Sequence, residues 1–212
     1  SDGPAPTELD LITAAIRESS RLGGFASASS PWLPPLPATL PLAKLTAGQT
    51  GGSGERATIG LVDDPAHQRQ DPLTVDLEVD GGMLIYGGGG SGRTTALRTI
   101  AVSLANGAPP TALQLYGLDS GAGGLRMLEE LPHCGGIASG PDEERVVRLL
   151  GMLRSELDRR QGMFAEQRVH TIAEYRTALA PGESLPRIIL LLDGYAGFAA
   201  AYERVQFGEL VD

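Results

Sequence analysis

The sequence is poor in cysteine, in basic residues and in long apolar runs, and each shortage excludes something. Its 212 residues include one cysteine, so no intrachain disulfide bond can form. The longest strongly apolar run, Ile188 to Leu192, is too short to cross a bilayer. Basic residues number 17 against 26 acidic ones, and the net charge of −9 provides no global field that would hold a nucleic acid.

Composition divides the chain into three predicted segments. Residues 1–24 predict a helix that leads from or toward a preceding domain. Residues 25–56 are rich in proline and glycine, and five prolines within eleven residues exclude a helix and favour a stiff linker. The alternative is a belt that docks Trp32 and Leu33 on a neighbouring domain. Residues 57–212 predict a folded domain.

Strand patterns alternate with helix patterns along the predicted domain. The predicted strands are 57–62, 73–79, 83–86, 113–118 and 188–192. The predicted helices are 94–105, 142–168, 171–179 and 198–205, in addition to 7–22 in the first segment. This alternation indicates an α/β fold with a mostly parallel sheet flanked by helices.

A glycine-rich stretch between a predicted strand and a predicted helix is the most informative part of the sequence. It reads Gly87-Gly88-Gly89-Gly90-Ser91-Gly92-Arg93-Thr94, the spacing of a phosphate-binding loop with arginine in place of lysine. Glycines let backbone N–H groups approach a phosphate closely, and the helix dipole favours negative charge there. We therefore expect ATP at this loop and Mg²⁺ on Thr94. The candidate cofactor-binding residues are Gly87, Gly89, Gly90, Ser91, Gly92, Arg93, Thr94 and Thr95.

A second motif lies downstream, where an apolar run ends in Asp193. A carboxylate there is expected to hold Mg²⁺ through water, which makes Thr94 and Asp193 the candidate metal residues. In hydrolysing members of the additional-strand class of P-loop ATPases, a glutamate commonly follows that aspartate, but this sequence has Gly194. Losing a positioned base costs roughly 10²–10⁴ in rate, and arginine at position 93 is not a conservative replacement for lysine.

These departures lead to a prediction about turnover. We assign no catalytic residue and expect nucleotide binding with slow or undetectable hydrolysis. Gly194→Glu combined with Arg93→Lys is expected to raise the turnover.

Several motifs together resemble one known family. The chain resembles the FtsK/SpoIIIE-type ATPase domains of the EccC component of type VII (ESX) secretion systems, most closely the second of the three tandem domains. The resemblance covers roughly residues 30–212. Its carrying segments are Trp32-Leu33-Pro34-Pro35-Leu36, residues 57–65, residues 87–94, residues 113–119, Gly123-Gly124-Leu125, residues 131–136 and Leu192-Asp193-Gly194-Tyr195.

The resemblance implies a fold, a ligand and a setting. The fold is a P-loop NTPase domain of the RecA/FtsK type, and the ligands are ATP and Mg²⁺. The second and third domains of this family tend to be degenerate in their catalytic motifs. The family works as a motor that drives export of WXG100-type proteins from the cytoplasmic face of the membrane. The implied partners are neighbouring ATPase domains of the same chain, an oligomeric secretion complex and secreted WXG100-type substrates, with no nucleic acid.

The sheet is expected to be incomplete. Proteins of this class usually place a strand between the phosphate-loop strand and the Asp-ending strand, and that inserted strand comes later in the chain. No apolar run in 194–212 predicts such a strand. We therefore expect a gap between 83–86 and 188–192, a domain that lacks its C-terminal strands, and aggregation of the 212-residue chain at its open edges.

Two other functions and several further residues remain open. The chain could be an FtsK-like DNA translocase domain, or an interaction module whose phosphate loop is vestigial and binds no nucleotide. Asp119 is interpreted as a structural aspartate at a strand end, with a position near the nucleotide as the alternative. His133 and Cys134 are interpreted as loop residues rather than as a metal site or nucleophile. Arg126, Arg145 and Arg148 are interpreted as solvated helix charges. The alternative is that they act as arginine fingers toward a nucleotide on an adjoining domain.

Overall fold

The computed structural model describes residues 5–26, 32–48, 52, 54–180 and 183–202. The chain forms two compact parts, one comprising residues 1–35 and 63–69 and the other residues 36–62 and 70–212. Among the described residues, no helix is both long enough and apolar enough to cross a bilayer.

The first part contains helix α1, Glu8–Leu22, which agrees with the sequence prediction. It begins at a capping box: the Asp10 N–H donates to Thr7 Oγ1 at 3.2 Å, and the Thr7 N–H donates to Asp10 Oδ2 at 2.8 Å. The same part contains a single 3₁₀ turn at Pro65–His67, capped by the side chain of Asp64. Both elements therefore begin where a short polar side chain satisfies free backbone N–H groups.

The second part opens with a short helix α2, Leu42–Leu45, and contains most of a two-stranded sheet. The strands are β1, Arg56–Asp64, and β2, Arg69–Asp76. The sequence prediction of a strand as far as Val79 is wrong, because the Asp76 carboxylate accepts from the N–H groups of Glu78 and Val79. This cap begins a helical turn, α3, Leu77–Asp80.

The main sheet has three parallel strands in the order β4-β3-β5. They are β3, Leu113–Asp119; β4, Cys134–Ser139; and β5, Arg187–Asp193. Strand β4 is absent from the sequence prediction, which treats Cys134 as a loop residue. Its pairing with β3 forms the strand, although two glycines near its start weaken any local strand preference.

Residues 83–86 form no strand, so the sequence prediction is wrong there. A strand needs a neighbour to receive its backbone hydrogen bonds, and within the described residues the main sheet ends at β5. Within the described residues, 83–86 and β5 are therefore not hydrogen-bonded to each other, as the predicted gap requires. The side chains of Leu84, Tyr86 and Leu190 are exposed.

Four helices cover the sheet: α4, Arg93–Gly107; α5, Glu143–Gln167; α6, Ile172–Thr177; and α7, Tyr195–Tyr202. They match the predicted helices within a few residues, and positions 203–205 of the last prediction lie outside the described residues. One hydrophobic cluster includes Ile100, Leu104, Leu113, Leu115 and Leu191. A second includes Leu118, Val146, Phe198 and Tyr202.

The strand ends are level on the carboxyl side of the sheet. In the register of β3, Asp119 lies opposite Ser139 on one side and Asp193 on the other. Parallel α/β sheets bind ligands at this edge, and the glycine-rich stretch leads into α4 beside it.

Candidate nucleotide site

The glycine-rich stretch forms an exposed loop that ends at the first turn of α4. Gly90 and Gly92 have φ values of 75° and 90°, in the left-handed region that favours glycine. Gly92 is the N-cap of α4 and offers no side-chain cap. The first N–H groups of a 15-residue helix are thus left without a side-chain acceptor, which is the arrangement that receives an anion.

The two predicted metal residues lie next to each other. Thr94 Oγ1 donates to Asp193 Oδ2 at 2.7 Å, although the residues are 99 positions apart in sequence. Asp193 is buried at the end of β5, and Thr94 lies in the first turn of α4. A hydroxyl and a carboxylate are two of the oxygen donors that Mg²⁺ prefers, so this pair fits one side of a magnesium site.

The described residues include no group of three or more histidine, cysteine, aspartate or glutamate side chains that could hold a metal. A site supplied by Thr94 and Asp193 alone would leave most positions around a metal to other oxygens. This arrangement suits Mg²⁺, which usually keeps several waters and takes further oxygens from substrate phosphates.

Asp119 holds the segment that follows β3, here called the Ser120–Leu125 loop. Its Oδ1 accepts from the N–H groups of Gly121 and Gly123 at 3.1 and 3.2 Å, and its Oδ2 accepts from the N–H of Leu125 at 2.8 Å. The side chain is buried, so these bonds replace the water that the charge has lost. The structure thus supports the structural interpretation of Asp119, and the loop it holds borders the candidate site.

Gly194 has a backbone that a side chain cannot easily adopt. Its φ is 79°, and a Cβ atom placed there would lie 2.9 Å from Gly121 N and 3.0 Å from Ser120 O. The atoms in the way are backbone atoms of the Ser120–Leu125 loop, which a rotamer change cannot move aside. Gly194→Glu combined with Arg93→Lys, expected to raise turnover, meets a steric obstacle at position 194, because the glutamate would displace the loop that borders the site.

Arg98 is a site residue that sequence reasoning missed. Its Nε donates to the carbonyl oxygen of Gly124 at 2.5 Å and so ties α4 to the Ser120–Leu125 loop. The available signal was its spacing: a residue four positions after Thr94 lies on the same face of a helix. The loop contact itself depends on the tertiary fold and has no sequence signature.

The remaining predicted residues lie elsewhere. Arg126, Arg145 and Arg148 are exposed and lie beside the carboxylates of Glu129, Asp142 and Glu144, respectively. His133 is buried, with Nε2 2.8 Å from the carbonyl oxygen of Ala108. Burial raises the pKa of the Cys134 thiol, which makes it a poorer nucleophile at neutral pH.

The fold and this site define a class of protein. A parallel sheet flanked by helices, with a glycine-rich loop that enters a helix and an aspartate at a nearby strand end, is a P-loop NTPase domain. The profile of the FtsK/SpoIIIE family matches residues 49–198. The chain belongs to the FtsK/SpoIIIE family.

Named relatives come from type VII secretion systems. The ESX-1 secretion system protein EccCb1 of Mycolicibacterium smegmatis is 33% identical over 186 residues, which cover 84% of this chain and 31% of that protein. The cytoplasmic domain of the type VII secretion ATPase EccC of Thermomonospora curvata is 30% identical, with a TM-score of 0.78 over 96% of this chain and 25% of the other.

A second solved structure contains ATPases 2 and 3 of Thermomonospora curvata EccC in complex with a signal sequence peptide. It is 34% identical, with a TM-score of 0.65 over 72% of this chain and 28% of the other. The chain thus spans about a third or less of the length of these relatives.

Proposed function

We propose that the chain binds Mg·ATP as a degenerate ATPase domain of a type VII secretion motor. The observation that carries the proposal is the 2.7 Å hydrogen bond between Thr94, just after the glycine-rich loop, and Asp193. Two motif residues 99 positions apart meet only if the fold builds one site from both. Family membership supports the choice of nucleotide and of Mg²⁺.

In this proposal the phosphates lie on the loop and on the first turn of α4. Backbone N–H groups of the loop donate to the phosphate oxygens, while Arg93 adds positive charge at the helix start. Thr94 and Asp193 would hold Mg²⁺, which would neutralise part of the phosphate charge when bound. The proposed contacts come from Gly87, Gly89, Gly90, Ser91, Gly92, Arg93, Thr94 and Thr95.

Slow turnover is the second half of the proposal. A water-positioning carboxylate is absent at position 194, and the close approach of Ser120 and Gly121 opposes its return. Arg93 is also expected to slow turnover, because its planar guanidinium contacts a phosphate with a different geometry from that of a lysine ammonium group. We infer that the domain responds to bound nucleotide more than it consumes it.

The wider setting follows from the relatives. A chain similar to a quarter or a third of EccC proteins fits one ATPase domain within a larger motor, most like the second, at the cytoplasmic face of the membrane. In this setting residues 1–24 lead to a preceding domain, residues 25–56 link the domains, and residues 57–212 bind the nucleotide. Neighbouring ATPase domains, an oligomeric secretion complex and WXG100-type proteins are the proposed partners. A neighbour with ATPases 2 and 3 holds a signal sequence peptide, which favours a protein substrate over DNA.

Thermal unfolding with and without nucleotide tests the proposal. A ligand that binds only the folded state stabilises it by about 2.7 kcal/mol at 100 times its Kd, so Mg·ATP must raise the Tm of the wild-type chain. Thr94→Ala and Asp193→Asn should reduce that rise. Thr99→Ala is the matched control, because Thr99 lies in the same helix and its hydroxyl donates to the carbonyl oxygen of Thr95 at 2.9 Å.

Two results would contradict this function. An unchanged Tm at millimolar Mg·ATP would favour the interaction module with a vestigial loop. ATP turnover that rises when DNA is added would favour the translocase.

A further inference from the structure

Arg98 lies on the same face of α4 as Thr94 and bonds to a backbone carbonyl rather than to a carboxylate. Arg98 lies one turn after Thr94 and donates to a backbone carbonyl, that of Gly124. Within the described residues, no carboxylate lies within ion-pair distance of Arg98. A partly buried guanidinium that holds a loop carbonyl fixes the position of the loop.

Gly124 in turn packs directly on Thr94. A Cβ atom at Gly124 would overlap the Thr94 Cγ2 methyl group and lie 3.0 Å from Arg98 Nη2. Only glycine lets the loop backbone come this close, so the Thr94 methyl group faces the loop and has little room to move.

That contact decides where the Thr94 hydroxyl points. Threonine carries its methyl and hydroxyl groups on one carbon, and both move together when χ1 changes by about 120°. With the methyl against Gly124, the hydroxyl reaches Asp193 Oδ2. Any other rotamer would move the hydroxyl away from the carboxylate.

The other end of the loop is also fixed. Asp119 accepts three N–H groups of the loop, and a Cβ at Gly121 would lie 3.4 Å from Asp193 Oδ2. The Ser120–Leu125 loop therefore borders both metal-side residues and is held by Asp119 from the sheet and by Arg98 from the helix.

We propose that Arg98 is a positioning residue for the magnesium side of the site. It holds Gly124 against the Thr94 methyl group and thereby selects the threonine rotamer that aims the hydroxyl at Asp193. This inference rests on the proposed function, and it assigns Arg98 to the binding of Mg²⁺ rather than of the phosphates.

The first test separates the metal from the phosphates. The Kd of a fluorescent ATP analogue is measured with Mg²⁺ and with EDTA for the wild type, Arg98→Met and Arg98→Gln. Removing a group that orients a metal ligand typically costs 10–100-fold in metal affinity. In both Arg98 variants, the ratio of the Kd in EDTA to the Kd in Mg²⁺ should therefore fall about 10-fold or more below the wild-type ratio. The Kd in EDTA should stay within about threefold. Arg126→Gln, an exposed charge change just after the loop, should leave the ratio unchanged.

A double-mutant cycle tests the rotamer step. Thr94→Ser keeps the hydroxyl and removes the methyl group through which Arg98 is proposed to act. Thr94→Ser should lower the ratio, and adding Arg98→Met should then lower it no further. Losses that add independently would show that Arg98 acts in some other way and would overturn the inference.

An experiment without nucleotide keeps the two proposals distinguishable. In the ligand-free chain, the ¹³C-methyl signal of Thr94 and its three-bond couplings report the χ1 angle. The wild type should show a single χ1 rotamer, and Arg98→Met should show values averaged over several rotamers. An unchanged rotamer would overturn the inference whatever the binding data show. A wild type that binds the analogue in neither buffer would overturn the proposed function and the Mg²⁺ role of Arg98 with it.

Discussion

At the residue scale, Gly194 shows how backbone geometry decides which side chains the site can carry. We expect Gly194→Ala to lower the free energy of unfolding by about 2 kcal/mol or more, because alanine is strained at φ 79° and its methyl meets the backbone of Ser120 and Gly121. Gly194→Glu should be at least as destabilising. Urea denaturation at pH 7 measures both.

Gly151→Ala is the matched control for this prediction. Gly151 lies inside α5, and apart from its chain neighbours and nearby helix backbone, no described atom lies within 4 Å of the position its Cβ would take. Alanine should therefore stabilise the chain by about 0.5–1 kcal/mol. Equal effects of the two alanine substitutions would show that the backbone of Gly194 is not constrained as described.

The sequence could predict those features of the site that belong to motifs, but not the contacts between segments that no motif connects. Thr94 and Asp193 belong to motifs whose spacing has a physical reason, so their meeting could be predicted. The contacts of Arg98 with Gly124 and of Gly194 with Ser120 join segments that no motif connects. They depend on where the loop after β3 settles, which tertiary packing decides.

At the element scale, the Ser120–Leu125 loop depends on the Asp119 carboxylate. Asp119→Asn replaces one acceptor oxygen by an NH₂ group, so at least one of the three loop N–H groups loses its acceptor. We expect the free energy of unfolding to fall by roughly 2–4 kcal/mol, since hydrogen bonds to a buried charge are strong. Chemical denaturation provides the measurement.

Asp158→Asn provides the comparison for that loss. Asp158 is an exposed residue of α5 that pairs with Arg154 at 3.4 Å. Its substitution should change stability by less than about 0.5 kcal/mol. A similarly small effect of Asp119→Asn would mean that the three N–H groups find other acceptors.

Helix α5 carries a charged group that gives its stability a pH dependence. Hydrogen bonds from Arg159, and then from Arg160, lower the pKa of Glu156 from 4.5 to about 2. A carboxylate with a lowered pKa stabilises the fold fully above its unfolded value of about 4.5, and this contribution is lost as the pH falls toward 2. Glu156→Gln should therefore cost about 1 kcal/mol at pH 7, and the difference from wild type should shrink between pH 4.5 and 2.

Glu144→Gln is the control in the same helix. The Glu144–Arg148 pair is exposed on both sides, so its removal should change stability little at any pH. Denaturation midpoints of the three chains from pH 7 to pH 2 provide the test. A constant gap between wild type and Glu156→Gln would contradict the ion-pair explanation.

Helices and strands differed in how well local sequence predicted them. Helices α1 and α5 begin at Thr7 and Asp142, whose side chains accept backbone N–H groups, and the sequence shows such caps directly. Strand β4 was not predicted although it forms, and residues 83–86 were predicted as a strand although they form none. A strand exists only where a partner strand accepts its hydrogen bonds, and that partner lies elsewhere in the chain.

At the scale of the whole molecule, β5 is an edge strand of the main sheet within the described residues, and an open edge can pair with another chain. No described strand other than β3 pairs with β5, and the Leu190 side chain is exposed. We expect the 212-residue chain to self-associate through this edge as its concentration rises. Leu190→Lys should reduce the association because a charged edge resists strand pairing, and light scattering over a concentration series measures it.

Leu157→Lys distinguishes the edge from general surface hydrophobicity. Leu157 is an exposed leucine of helix α5 and belongs to no strand. Its substitution should leave the association constant largely unchanged. Equal effects of the two lysines would show that β5 is not the associating surface.

The close contact between Gly194 and the loop after β3 also has an evolutionary consequence. A single base change converts some glycine codons into glutamate codons, so the missing carboxylate is close at hand in the gene. In the protein, that glutamate would first have to displace the backbone of Ser120 and Gly121. The glutamate would therefore be accommodated most readily after changes in the loop, and those changes alone would bring no carboxylate to the site.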